Sequence, residues 1–313
     1  MDMSMIINPI MRLFIAILIG FISVKYNYLN ADIRTVLSKI IAKITLPCMI
    51  VTSLLSKELS GEVVGNAAIA VLSGIVVIPG LCLLGICTAK LFRLKEPTKT
   101  VHAILSGGGN TSFLGYPIVL AIFGTEGLFY AVLFSMVNES LFWTVGVYLL
   151  YRSGGAKEKG NSLKKLFNPN TIAFLIAIPL MLLKAKLPPI LNVALSGIGD
   201  TTIYLSMLFI GMTLATVDVK KLYQRVSMLL PALIKMVIAP ILVGMLLIQI
   251  GVGALTTGVL MLEIALPAQT VVSIVAMEAN SDAQYAVEYI FFSTLLSLAT
   301  LPFVYYIMER MIG

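Results

Sequence analysis

Long apolar runs make up almost the whole of this sequence and restrict its fold more than any other feature. A helix rises about 1.5 Å per residue, so about 20 apolar residues cross the roughly 30 Å hydrocarbon core of a bilayer. Charged residues make up only 12% of the chain, against about 25% in an average soluble domain, and ten apolar runs of this length leave no room for a soluble domain. We therefore predict an all-α membrane protein with ten transmembrane helices, near 6–25, 33–56, 66–91, 101–124, 128–151, 170–187, 190–215, 228–251, 256–277 and 284–308.

Basic residues lie mostly on one side of these predicted spans. Lys and Arg near span ends stay on the cytoplasmic side. The connections after spans 1, 3, 5 and 7, with their edges, contain 16 of the 22 basic residues, and the opposite side contains 5. Both termini are therefore predicted to lie on the non-cytoplasmic side of the cell membrane. The net charge of +7 is explained by topology, and we expect no nucleic-acid binding.

The longest polar connection separates two halves of five predicted spans. We divide the chain into residues 1–151, a short basic cytoplasmic loop at 152–169, and residues 170–313. Because each half has an odd number of spans, the second half must run upside down, which predicts an inverted repeat of the kind common in secondary transporters. Pro79 and Pro240 match at an offset of 161 residues, and Pro117 and Pro267 at 150. We attribute the difference to a longer basic loop between spans 3 and 4.

The segment "GGGNTSFLGYPIV", residues 107–119, is unusual inside an apolar span. Proline removes a backbone hydrogen bond and glycine lets a helix unwind. Non-helical backbone at membrane depth is tolerated only where protein or a water-filled cavity satisfies it. We therefore predict that spans 4 and 9 are broken, at Pro117 and Pro267, and cross near the midplane. Their half-helix N-termini would then form an anion site.

Several stretches give the chain a family resemblance over nearly its whole length. They are "GGGNTSFLGYPIVLAIFGTEGL", "NESLFWTVGVYLLYRSG", "FNPNTIAF", "IYLSMLFIGMTLA", "LEIALPAQTVVSIVAMEAN" and "STLLSLATLPFVYY". They resemble the auxin efflux carrier family in its prokaryotic, malate or malonate permease-like branch, which is related to the plant PIN-type carriers. The resemblance implies a fold like that of the bile acid/sodium symporters, with crossed broken helices 4 and 9, a homodimer and an elevator motion. The chain lacks the large hydrophilic loop of PIN carriers, so auxin as its substrate is in doubt.

The polar residues around the two breaks are the predicted substrate-binding set. Asn110, Thr111, Gly115 and Pro117 match the PIN pattern Asn-Thr-x-x-x-Gly-x-Pro, and Pro267 ends an Ala-Leu-Pro that the family shares. The full set comprises Asn110, Thr111, Ser112, Gly115, Pro117, Asn138, Glu139, Pro267, Gln269 and Thr270. Two ordinary proline kinks are the alternative.

Acidic residues within predicted spans are costly in lipid and are therefore candidates for ion or proton coupling. Glu263 precedes Pro267 by one turn and resembles the glutamate that binds sodium in bile acid transporters. Asp200 lies in a helix that Gly197 and Gly199 could loosen. The alternatives are a buried neutral carboxyl at Glu263 and a structural hydrogen bond at Asp200.

Basic residues in the spans have simpler explanations. Lys43 and Lys235 lie about two turns inside span ends, from where they can snorkel to the cytoplasmic interface. His102, the only histidine, opens span 4, where a capping or headgroup contact is expected. Without ligand partners it forms no metal site, and we expect no metal and no cofactor.

The sequence as a whole predicts a secondary transporter of a small organic anion, a carboxylate, and not an enzyme. An intramembrane enzyme would need a nucleophile with its base or a set of metal ligands, and neither pattern is found. A sodium-coupled organic anion symporter and an anion channel are the alternatives. H⁺, Na⁺ and uncoupled transport all stay open.

Overall fold

The computed structural model describes residues 3–30, 32–156, 167–216 and 226–312, with residues 3–10 and 226 described for their backbone only. Helices account for most of these residues. In chain order they are α1 Met3–Lys25, α2 Ile33–Leu55, α3 Gly61–Leu91, α4 Thr98–Gly107, α5 Thr111–Gly154, α6 Pro169–Leu182, α7 Pro189–Leu214, α8 Ser227–Gln249, α9 Ala254–Ala265, α10 Val271–Glu278 and α11 Ala283–Ile312. The all-α membrane class predicted from the apolar runs is confirmed.

Among the described residues, six helices are long and apolar enough to cross a membrane by themselves: α2, α3, α5, α7, α8 and α11. α6 and α9 are shorter apolar helices. α5 has 44 residues, but Gly124 has non-helical backbone angles (φ 66°, ψ −164°) and divides it into 111–123 and 125–154. Helix is found at each of the ten predicted positions, while ten crossings and an inverted repeat stay predictions.

Predicted span 4 is broken, but not at Pro117. α4 ends at Gly107, Gly108 is extended (φ −69°, ψ 135°), and helix resumes at Thr111. Predicted span 9 is interrupted at residues 266–270, with Leu266 extended (φ −64°, ψ 148°). We call residues 108–110 and 266–270 together the crossed break.

The prediction that Pro117 is the counterpart of Pro267 is therefore wrong. α9 ends at Ala265, 158 residues after the end of α4, and α8 ends at Gln249, 158 residues after the end of α3. The connections are also similar, at 92–97 and 250–253. The halves thus match at a nearly constant offset, with no long loop between spans 3 and 4 to explain.

Three prolines inside the spans follow wide helical turns. π-helical turns at Ile41–Thr45, Thr111–Gly115 and Ile234–Ile238 each end two residues before a proline, at Pro47, Pro117 and Pro240. A proline ring clashes with the carbonyl one turn earlier and has no N–H to offer it. Widening that turn relieves the clash without ending the helix, so Pro117 lies inside a continuous helical segment.

Two compact units make up the chain, and each draws on both sequence halves. Unit 1 consists of the described residues among Met1–Gly65, Ser112–Val132 and Phe167–Val217. Unit 2 consists of those among Asn66–Thr111, Leu133–Leu166 and Asp218–Gly313. Residues 157–166 of the predicted basic loop, and the predicted cytoplasmic Lys220, Lys221 and Arg225, lie outside the described residues.

Glycines set the closest helix approaches inside each unit. In unit 1, a Cβ at Gly20 would collide with the Leu208 carbonyl, and one at Gly211 with the Ile17 carbonyl, so α1 and α7 pack backbone to backbone. In unit 2, a Cβ at Gly107 would collide with Cys82 Sγ and lie 2.7 Å from the Ile78 carbonyl oxygen. Small residues at such crossings are typical of membrane helices. Gly107 therefore seats α4 against α3 at the edge of the crossed break.

Candidate functional site

The two halves of the crossed break bind each other through their backbones. Asn110 N donates a hydrogen bond of 2.8 Å to the Pro267 carbonyl oxygen. Gly109 and Ala268 form an isolated antiparallel bridge. Ala268 N also donates to Ser293 Oγ at 3.1 Å. Extended backbone that would otherwise lack partners is thereby satisfied within unit 2.

Asn138 holds the first half of the crossed break in place. Its Nδ2 donates to the Gly109 carbonyl oxygen at 3.0 Å, and its Oδ1 accepts from Gly109 N at 3.2 Å. Nearby, Thr111 Oγ1 and Ser135 Oγ share a hydrogen bond of 2.8 Å. Both asparagine amide atoms are therefore used by one glycine, which gives Asn138 a positioning role.

Asn110 differs from Asn138, although it is just as deeply buried. Its side chain is 3% exposed. No hydrogen bond of its side-chain amide is found among the described residues, while its backbone N–H donates to the Pro267 carbonyl oxygen. A buried amide normally has partners, so this one is available to bind a ligand.

Gln269 and Glu139 form a second polar group at the crossed break. Gln269 Nε2 donates to Glu139 Oε1 at 3.0 Å, and Trp143 Nε1 donates to Glu139 Oε2 at 2.9 Å. Gln269 Oε1 is buried without a hydrogen bond among the described residues. Thr270 is half-buried at the start of α10.

Glu263 is an isolated acid inside unit 2. It lies on α9, is 1% exposed, and neither carboxyl oxygen has a hydrogen-bond partner in the part of the chain that the structure describes. Leaving an ionised carboxylate buried and unpaired costs several kcal/mol, of order the penalty for a buried ion. This carboxyl therefore requires a proton or a bound cation.

Lys235 is one of the residues whose surroundings the sequence interpretation had wrong. Its side chain is 2% exposed and its ammonium donates to the Gly108 carbonyl oxygen, so it does not snorkel to an interface. Lys43 is exposed, although it too lies in a π-helical turn before a proline. The signal that could have identified Lys235 is its position within a membrane span, where a charged side chain is costly. The sequence did not show whether Lys235 lies on the lipid-facing or the protein-facing side of α8.

His102 also differs from its predicted capping or headgroup role. It is fully buried, with Nδ1 2.7 Å from the Tyr285 hydroxyl and Nε2 2.9 Å from Thr88 Oγ1. These hydrogen bonds join α4 to α3 and α11, and they therefore help to fix α4, which leads into the first half of the crossed break.

Four predicted residues fall in unit 1 and are not among those gathered around the crossed break. Ser112, Gly115 and Pro117 are buried in the first part of α5. Asp200 is exposed on α7 and has no hydrogen bond or ion pair among the described residues. α7 runs unbroken from Pro189 to Leu214, so the predicted loosening by Gly197 and Gly199 is wrong.

A cleft of about 450 Å³ in unit 2 reaches the crossed break. Its polar floor consists of Gly108, Asn138 and Gln269, and Glu96, Lys99 and Thr100 form a polar end. Its walls come from α3 and α5 and are mainly apolar: Ile78, Pro79, Cys82, Leu83, Ile86, Leu141, Phe142, Val145 and Leu149. A few convergent polar groups in an apolar cleft of this size are typical of a small-molecule site.

No group of three or more His, Cys, Asp or Glu residues that could hold a metal ion lies in the described ranges 3–30, 32–156, 167–216 and 226–312. Among the described residues, the polar atoms that contact the crossed break are amides, hydroxyls, the Lys235 Nζ and the Glu139 carboxyl group. Such a set suits recognition of a polar or charged molecule by hydrogen bonds.

Comparisons with known proteins agree with the membrane-transport pattern. The family described as "Membrane transport protein" matches residues 5–162 and 159–305. An uncharacterized transporter of Methanothermobacter thermautotrophicus is 26% identical over 307 residues, which cover 94% of this chain and 96% of the relative. The uncharacterized transporter MJ1031 of Methanocaldococcus jannaschii is 22% identical, with 93% and 95% covered. YfdV of Escherichia coli, also an uncharacterized transporter, is 23% identical, with 78% and 79% covered. The chain therefore belongs to this membrane transport protein family, the auxin efflux carrier family that its motifs resemble.

Proposed function

We propose that this protein is a secondary transporter of a small organic anion, a carboxylate, and that the anion binds at the crossed break. The observation that most supports this is the buried Asn110 amide, which has no hydrogen-bond partner among the described residues, beside two interrupted helices bonded to each other. Membership of a transport family gives the class of activity. The polar groups at the crossed break support a carboxylate as the substrate.

The charges around the crossed break favour an anion. Helix resumes at Thr111 and at Val271, so the N-terminal ends of α5 and α10 follow directly after its two segments. Helix N-termini attract negative charge because their first N–H groups are unbonded and their dipole is positive there. Lys235 Nζ donates a hydrogen bond to the Gly108 carbonyl oxygen, and in its protonated form it would add a positive charge there. A carboxylate could accept hydrogen bonds from Asn110 and from these N–H groups.

The magnitude of these contacts is enough for measurable binding. A hydrogen bond to a charged group contributes about 1.5 to 3 kcal/mol. Loss of one such bond should therefore weaken binding by about tenfold or more. The cleft of about 450 Å³ has room for a small carboxylate and part of an apolar body, and it reaches the crossed break at Gly108, Asn138 and Gln269; Asn110 is not among the residues that line it.

Coupling is the second part of the proposal. The unpartnered Glu263 carboxyl supports uptake or release of a proton, or binding of a cation, during the transport cycle. The same observation favours a sodium-coupled symporter as the second candidate function, with carboxylate and carbonyl ligands at about 2.4 Å from Na⁺. Asp200 has no part in this proposal, because its carboxylate is exposed on α7.

Alternating access by an elevator motion is the third part. All residues of the crossed break belong to unit 2, which also contains Asn138, Glu139, Lys235 and Glu263. A compact unit that holds the whole break could move as one body across the bilayer. The family resemblance alone supports this motion and a homodimer.

Counterflow in proteoliposomes tests the transporter proposal. Vesicles preloaded with unlabelled malonate or indole-3-acetate should transiently accumulate the labelled compound, and initial rates should saturate with concentration. A carrier gives counterflow because its binding site takes unlabelled compound out of the vesicle and returns to the inside with labelled compound bound. Flux of the labelled anion that rises linearly and shows no counterflow would instead support an anion channel.

A further inference from the structure

Lys235 lies in unit 2 at a position where a positive charge would be stabilised by its surroundings. Its side chain lies in the π-helical turn Ile234–Ile238 of α8 and is 2% exposed. Its ammonium donates a hydrogen bond to the carbonyl oxygen of Gly108. Gly108 directly follows the last residue of α4. The ammonium therefore lies at the C-terminal end of the first half-helix, where the helix dipole is negative.

No acidic side chain balances this ammonium among the described residues. The ion pairs that the structure describes are Lys57 with Glu126 and Lys99 with Glu96. A buried charge is tolerated only where partners compensate it. Here the compensation comes from the helix-terminal carbonyl. In broken-helix transporters, unwound carbonyls and half-helix C-termini are the groups that coordinate a transported cation.

From this arrangement we propose that the Lys235 ammonium is a built-in cation of the crossed break. It fills the place at the end of α4 where an alkali cation would otherwise bind, and it keeps one positive charge beside the proposed anion site. This inference rests on the proposed function for the role of that charge. It goes beyond it by predicting that the first half of the break needs no sodium ion.

The second half of the crossed break has no lysine that corresponds to Lys235, and this limits where a coupling ion could bind. The position 158 residues before Lys235, the offset that separates the ends of α4 and α9, is Val77. A valine cannot supply a cation to the C-terminal end of α9. That helix contains the unpartnered Glu263 instead. Any coupled proton or cation is therefore expected at Glu263.

Lys43 provides a matched control within the same chain. It lies in the π-helical turn Ile41–Thr45 before Pro47, as Lys235 lies in the turn before Pro240. The Lys43 side chain is exposed and makes no hydrogen bond or ion pair among the described residues. Replacing Lys43 removes the same charge from the same kind of turn without removing a contact to the break.

The experiment measures thermal unfolding of purified protein, without any anionic probe, in equal concentrations of sodium, potassium, ethylammonium or choline chloride. We expect any difference in unfolding temperature between sodium, potassium and choline that the unmodified protein shows to disappear in Glu263→Gln. Lys235→Ala should unfold at a lower temperature in choline, and ethylammonium, which fits the vacated volume, should restore part of the loss. Lys43→Ala should behave like the unmodified protein in all four salts.

Two results would overturn the inference. One is a sodium-specific stabilisation of the unmodified protein that persists in Glu263→Gln, because that would place a sodium site elsewhere in the break. The other is Lys235→Met unfolding at the unmodified temperature. If Lys235→Ala does not fold, Lys235→Arg, which keeps the charge, must fold and show the same salt response as the unmodified protein.

Malonate and indole-3-acetate binding separates this inference from the proposed function. If the unmodified protein binds neither probe, the proposed anion site is wrong, while the salt experiment still decides the role of Lys235. If it binds one of them, Lys235→Met should bind that probe about tenfold or more weakly, as expected for the loss of a charged partner, and Lys43→Met should bind it normally.

Discussion

At the residue scale, two buried asparagines at the crossed break have different tasks. Asn138 uses both amide atoms on the backbone of Gly109, while the Asn110 amide has no partner among the described residues. A side chain whose hydrogen bonds are all made within the protein contributes to shape and stability. A side chain with spare donors is free to contact a substrate. We therefore assign a positioning role to Asn138 and a binding role to Asn110.

Glu263 should decide whether transport responds to a proton gradient. Its carboxyl is buried with no hydrogen-bond partner among the described residues, so a change in its charge needs a proton or cation from outside unit 2. Glu263→Gln keeps the size of the side chain but cannot gain or lose a proton. We expect uptake driven by an imposed pH gradient to fall sharply in this variant, while counterflow at equal pH continues.

The control for that experiment is Asp200→Asn on the exposed face of α7. Its pH-gradient response should match that of the unmodified protein. If Glu263→Gln also keeps its full response, Glu263 has no part in coupling.

The sequence was enough to choose most polar residues of the candidate site, but it did not show which side chains pack around them. Asn110, Asn138, Gln269 and Glu263 could be chosen because polar groups in an apolar span are costly and need a reason. Lys235 and His102 could not be placed, because depth along a span does not say whether a side chain faces lipid or protein. Lys43 and Lys235 have similar local sequence settings, yet one is exposed and the other is buried.

At the element scale, the packing of α4 on α3 fixes the first half of the crossed break. A Cβ at Gly107 would collide with Cys82 Sγ and approach the Ile78 carbonyl. Gly80, on α3, has open space around an added Cβ. These two glycines therefore make a matched pair for testing how tightly the break is held.

Gly107→Ala should destabilise the protein, because overpacking a tight contact costs about 1 to 3 kcal/mol. Gly80→Ala should be neutral or stabilising by up to about 1 kcal/mol, because alanine favours helix over glycine. Unfolding temperatures of the purified variants measure both effects. Equal unfolding temperatures for the two variants would mean that Gly107 does not form the tight contact between α4 and α3.

Breaks in helices were only partly predictable at this scale. The sequence indicated correctly that spans 4 and 9 are interrupted, and Pro267 does lie in the second interruption. It placed the first interruption at Pro117, whereas the chain leaves the helix at Gly108. The π-helical turn at Thr111–Gly115 absorbs the proline, and the extended segment pairs with the second half of the break through the bridge between Gly109 and Ala268.

At the scale of the whole molecule, the two compact units do not follow the two sequence halves. Helices α1, α2, α6 and α7 belong to unit 1, and helices from both halves form unit 2. Hydropathy gives the order of the helices, but proline spacing gave unequal offsets of 161 and 150 residues, whereas the helix ends in the structure are 158 residues apart. Hydropathy and proline spacing do not give tertiary contacts, so the division into units needed the structure.

Topology is tested by cysteine accessibility in a variant that lacks Cys48, Cys82 and Cys87. We expect Ala156→Cys, just after α5, to react only with reagent that reaches the cytoplasm, because the basic residues lie on that side. Ser60→Cys, between α2 and α3, should react from outside. The reverse pattern would overturn the predicted orientation of both termini.

Anion binding to purified protein tests the central claim most directly, by calorimetry with malonate and indole-3-acetate on three asparagine variants. Asn110→Ala should bind the preferred probe about tenfold or more weakly, as expected for loss of one charge-assisted hydrogen bond, with little change in unfolding temperature. Asn138→Ala should lose both binding and stability. Asn192→Ala, exposed on α7, should change neither. If Asn110→Ala binds the probe as tightly as the unmodified protein, the crossed break is not the anion site.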